Sequence, residues 1–125
     1  MSKEHWKSEP DEHDFPAASD YLSLLFADSA VDEMVAALKS APTMHRKAKD
    51  LLRASRLEML PPDNVHVAKD LAKVKSGIAL SPILLVRGNG EKDVALIVAD
   101  GYHRICASWH LDEDADIPCR IVDPA

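Results

Sequence analysis

Val94-Ala95-Leu96-Ile97-Val98-Ala99-Asp100-Gly101-Tyr102-His103-Arg104-Ile105-Cys106-Ala107-Ser108-Trp109-His110 carries two periodicities in a row. Its first five residues form an apolar strand; Tyr102, Ile105, Cys106 and Trp109 then recur at i, i+3, i+4 and i+7, the buried stripe of a short helix. Any chemistry belongs at the junction. Asp100 can cap the helix, Gly101 lets the backbone turn and approach a ligand closely, and the first-turn N–H groups lack intrahelical partners. An anion is the natural occupant of such a helix start. His103 and Arg104 fall off the buried stripe and add donors, the guanidinium being able to grip a phosphate through two parallel bonds. The candidate phosphate- or nucleotide-binding residues are therefore Asp100, Gly101, Tyr102, His103 and Arg104. The plainer reading of the same five is a helix start with a solvated His and Arg.

Outward from this junction, residues 83–86 have the length and composition of a strand buried on both faces. Gly88-Asn89-Gly90 marks a hairpin turn to residues 94–98, and residues 117–122 close as a third strand. Asp63 or Asn64 can cap a helix over residues 65–76 that Gly77 ends. Pro61-Pro62 separates this mixed region from helical sequence before it. There, Ser19 or Asp20 is expected to cap a short helix over the apolar run 21–26. Asp28 or Ser29 is expected to cap another in which Val31, Met34, Val35 and Leu38 keep helical spacing. The spacing also predicts a helix over residues 43–56, with Met44, Ala48, Leu51 and Leu52 on one side and a basic stripe of Arg46, Lys49, Arg53 and Arg56 on another. That stripe can follow a nucleic-acid backbone or cover an acidic protein partner, although an ordinary solvated helix face shows the same pattern.

Residues 1–16 read as a charged flexible arm, 17–60 as a helical N-terminal segment and 61–125 as the core, one domain in all at a length of 125 residues. The expected class is α+β, with helices packed around a small mixed or antiparallel sheet. Fifteen Lys and Arg against twenty-one Asp and Glu leave a net charge of −6, which opposes nonspecific attraction to nucleic acid or an anionic membrane. No uncharged run is long enough to span a bilayer, so a soluble cytoplasmic protein is expected. Cys106 and Cys119 fall at apolar positions and read as reduced core thiols. The six histidines show no metal-motif spacing, so no metal site is expected.

The helix ending at Gly77, the strand start Ser81-Pro82-Ile83, the hairpin, Asp100-Gly101-Tyr102-His103-Arg104 and Ile117-Pro118-Cys119-Arg120 together resemble the ParB/sulfiredoxin-like domain over residues 61–123. The resemblance implies a bacterial, nucleotide-binding protein that holds phosphates at the helix start, with Gly101, His103 and Arg104 as contacts. By the same resemblance it would be a phosphotransferase or nucleotide hydrolase using a nucleotide with Mg²⁺, Asp100 helping to hold the cation, or else a nucleotide-controlled DNA-associated or protein-interaction module without catalysis. Tyr102 stands where sulfiredoxin carries its catalytic cysteine, so sulfinic-acid reduction is not expected. No helix-turn-helix reader of DNA is expected beyond the last strand, and the sequence identifies no general base.

Overall fold

In a computed structural model, which describes residues 5–125, Ile83 and Leu85 enter one apolar core while Leu84 and Val86 enter another, and all four are buried. Strand side chains alternate faces, so this continuous apolar quartet requires cover on both sides. The cover comes from α1 (Asp14–Leu22) and α2 (Asp28–Ser40) on one face. On the other lie α3 (Ala48–Ser55), α4 (Val65–Lys75) and α5 (Tyr102–Leu111). Between them β1 (Met44–Lys47), β2 (Ile83–Val86), β3 (Ile97–Asp100) and β4 (Asp116–Val122) form one mixed sheet in the order β1-β4-β2-β3. β2 runs parallel to β4 and antiparallel to β3, and β1 is antiparallel to β4. The class is α+β, as the sequence predicts. No helix among the described residues is long and apolar enough to cross a membrane.

Four elements depart from expectation. Residues 43–56 are not one helix: Met44–Lys47 pairs with Cys119–Asp116 as the outer strand, and only Ala48–Ser55 coils. The ladder offered by β4 outweighs the local helix preference of Met, Arg and Lys in Met44–Lys47, because tertiary pairing overrides propensity. The first helix begins at Asp14, not after Ser19 or Asp20, and Pro16 sits in its first turn where the missing N–H costs nothing. β3 starts three residues later than predicted, since Val94 bridges Asn89 and Leu96 N–H donates to the Ala54 carbonyl. The neighbouring helix, α2, also starts after Ala27, leaving Asp28 inside its first turn, where a carboxylate favours the helix dipole.

β2, α4 and β4 form where the sequence puts them, and β2 and β3 pair as an antiparallel hairpin. Asn64 caps α4 by accepting from the N–H groups of His66 and Val67 at 3.0 and 3.2 Å. The C-terminus of α2 is held by Arg120 of β4, 8% exposed, which donates to the carbonyls of Leu38 and Lys39. Within the predicted arm, Met1 to Glu4 lie outside the described residues. From His5 the backbone is tied down: Lys7 N–H donates to Leu80 O, Leu80 N–H to His5 O, and Trp6 packs against the core on the α3, α4 and α5 face of the sheet.

Candidate functional site

β3 delivers Asp100 to the end of the sheet, and Gly101 turns the chain into α5 with φ +111°. A Cβ at Gly101 would collide with the Ile83 side chain, so the turn requires glycine on conformational and steric grounds together. Above this turn lies a cleft of about 410 Å³, within the range that takes a small ligand. One wall is α4, whose His66, Lys69, Asp70 and Lys73 lie at i, i+3, i+4 and i+7, opposite the buried Val67 and Val74. The other wall is the approach to α1, with Lys7, Asp11, His13 and Asp14; Ser81, Asp100, His103 and Arg104 close the base.

Arg104 is not a free fork. Its two terminal nitrogens donate to Ser81 O at 2.7 Å and to Asp100 Oδ2 at 2.6 Å, and Asp14 Oδ2 lies 3.8 Å away. Asp14, 4% exposed, also accepts the Asp11 N–H. Burial pushes the Asp100 carboxyl above its ordinary range; Arg104 opposes this, and the Asp14 carboxylate reinforces it. Asp100 therefore meets its own helix through Arg104, one turn on, and does not cap it as predicted; no side chain caps α5. The first-turn amides are left for a ligand or water.

Tyr102, counted with the binding stretch in the sequence, turns away from the cleft and donates its hydroxyl to the Glu58 carbonyl. His103 enters the cleft, its ring centroid 4.6 Å from that of His66. Burial and His66 lower the His103 pKa, while Asp70 opposes them. Asp70 is itself raised by burial, against the pull of Lys73 at 3.9 Å. Lys69 makes no ion pair among the described residues and is the cation most open to an incoming anion.

The predicted basic stripe is dispersed. Arg46 lies on the β1 edge and donates to its own neighbour's carbonyl, His45 O. Lys49 pairs with Asp114 at 2.7 Å, Arg53 with Asp50 at 2.8 Å and Arg56 with Asp93 at 2.5 Å. Cys106 and Cys119 are buried free thiols, both raised by burial, Cys119 to about 11, so neither is a thiolate at neutral pH. Asp11, His13 and Asp14 each bring a potential metal-ligand atom within 4.8 Å of the others, a grouping the sequence reading did not single out. Lys7, the Asp11 N–H and Arg104 already engage its carboxylates. The α4 face was also missed, although its polar spacing was visible as the complement of Val67 and Val74. Against known proteins, no family model, curated relative or solved structure matches this chain.

Proposed function

We propose that this chain binds a phosphate-bearing small molecule, foremost a nucleotide, in the cleft between α4 and the approach to α1. The observation that carries the reading is the uncapped first turn of α5, opened by a glycine whose replacement is strained, on the same cleft as Lys69, which makes no ion pair among the described residues. An anion seated there meets the outward N–H groups, the positive end of the helix dipole, and the cations of α4. The resemblance of residues 61–123 to the ParB/sulfiredoxin-like domain supports the same ligand class. Phosphoryl transfer or nucleotide hydrolysis is the reaction type that follows, and Asp100 is the carboxylate of the turn that would lie toward a Mg²⁺ carried by the nucleotide.

Arg104 enters this reading differently from a free phosphate fork. It neutralises Asp14 and Asp100 beneath the ligand and holds the turn against Ser81. The direct side-chain contacts are assigned to Lys69 and Lys73, with His103 beside the bound phosphate. A nucleic-acid or acidic-partner role for Arg46, Lys49, Arg53 and Arg56 draws no support from their arrangement, since three of the four are paired with carboxylates of this chain.

Calorimetric titration with ATP, GTP, CTP and their diphosphates, with and without Mg²⁺, tests the proposal. Binding weakened several-fold by Lys69→Ala with Lys73→Ala is expected. Absence of binding at millimolar nucleotide by the folded chain would overturn it.

A further inference from the structure

We propose that His103 is the proton acceptor for attack on a phosphate seated in this cleft, with His66 and Asp70 of α4 as the groups that position it. The inference rests on the phosphate-binding reading above and adds turnover to it. His103 is the second residue of α5, so its imidazole leaves the helix beside the first-turn amides that would carry the phosphate. It lines the cleft, and no hydrogen bond from a described residue occupies its ring nitrogens. His66 lies against it from the first turn of α4, ring centroids 4.6 Å apart and planes at 41°, which limits how the imidazole can swing.

The other candidates are already engaged. Asp14 and Asp100 face Arg104, and the Tyr102 hydroxyl is donated to Glu58 O. Lys69 and Lys73 are taken as the cationic contacts of the phosphate. His13 stands outermost, its side chain 82% exposed and 3.4 Å from Asp14. Among the described residues that line the cleft, His103 alone combines a place in the first turn of α5 with ring nitrogens that no described residue bonds, and burial with His66 holds its pKa low. Once protonated, the imidazolium gains from Asp70, the negative group that opposes the lowering.

The step balances as hydrolysis of a nucleoside triphosphate. A water oxygen forms a bond to the terminal phosphorus while the bond from that phosphorus to the bridging oxygen breaks. The leaving nucleoside diphosphate takes the electron pair, and the water proton passes to His103 and then to solvent. No oxidant or reductant is involved.

The test uses the whole chain with Mg²⁺ and each of ATP, GTP and CTP, measuring binding by calorimetry and turnover by phosphate release. Turnover should rise with pH through a value below the ordinary histidine range. His103→Ala, with its fold checked by circular dichroism, should lower kcat about a hundred- to ten-thousandfold with KM within about threefold, and added imidazole should restore part of the rate. His66→Ala should move the acid limb to higher pH and Asp70→Asn to lower pH, since the first lowers and the second raises the His103 pKa. Binding without phosphate release from any of the three overturns the inference and leaves the binding reading standing. So does a His103→Ala loss confined to KM, or one that imidazole does not rescue. No binding at all removes both.

Discussion

Arg104 sits where two carboxylates would otherwise face each other across a buried gap, its side chain 13% exposed against 6% for Asp14 and 18% for Asp100. Arg104→Met keeps much of the volume and removes the charge, and should cost about 3 kcal/mol at pH 7, the low end for breaking a buried pair. The pH dependence has a definite sign. Asp100 already has its folded pKa raised above 3.8, so its contribution is full below that value and is lost as pH rises through the folded pKa. Without Arg104 that folded value climbs further, and the gap between variant and wild type should be smaller at pH 4.5 than at pH 7. Urea denaturation at the two pH values measures it; equal gaps would show that Arg104 acts through packing alone. Glycine offers a second residue-scale contrast. Gly77, at φ +75°, has open space where a Cβ would go, whereas Gly101 combines φ +111° with the Ile83 side chain. Gly77→Ala should cost about 1 kcal/mol, for the left-handed backbone alone, and Gly101→Ala at least about 1 kcal/mol more, both read from denaturation midpoints.

Among the elements, those with a local chemical stop and start were the ones legible in sequence. α4 has Asn64 before it and Gly77 after it, and it forms between them. β2 is recognised because four consecutive apolar residues need cover on both faces, whatever the rest of the chain does. β1 carries no such mark. Its exposed Met44, His45 and Arg46 read equally well as a helix face, and only the outer edge of β4, more than sixty residues further on, makes them a strand. Arg46 then folds over the His45 carbonyl on that edge, a charged cover of the kind that keeps edge strands from pairing with other chains. The cap on α4 gives the element-scale prediction. Asn64→Ala removes the acceptor for two N–H groups and should cost about 1 kcal/mol. Because α4 carries the cationic wall, nucleotide binding should weaken with it; Asn64→Asp or Asn64→Ser should restore both stability and affinity. Loss of stability with affinity intact would mean that the α4 wall takes no part in binding.

At the scale of the whole molecule, half of the candidate site was readable and half was not. The Gly101 to Arg104 turn is contiguous and announces itself by residue type, but the walls come from residues 7–14 and 66–73, joined to it only by folding. The sequence offered Arg46, Lys49, Arg53 and Arg56 as a nucleic-acid or partner face because they fall on one stripe of a predicted helix. Folding pairs three of them with Asp114, Asp50 and Asp93 and leaves Lys69 open in the cleft. A protein of net charge −6 repels anions at a distance, so an anionic ligand must find its compensation locally. Reversing charge at the two places should therefore have unequal effects. At about 7 Å in water each unit of charge is worth about 0.6 kcal/mol, and Lys69→Glu with Lys73→Glu changes four units, so even with screening the loss should be on the order of 1 to 2 kcal/mol, about five- to thirtyfold in affinity. Arg46→Glu with Arg53→Glu makes the same change in net charge on the β1 and α3 side, among charges already compensated, and should alter the affinity for Mg²⁺-nucleotide less than twofold. Titrating both double variants at low and at physiological salt separates a local contact from the general field. Equal losses in the two, vanishing together as salt rises, would place the ligand's attraction in the overall charge of the protein and not in the cleft.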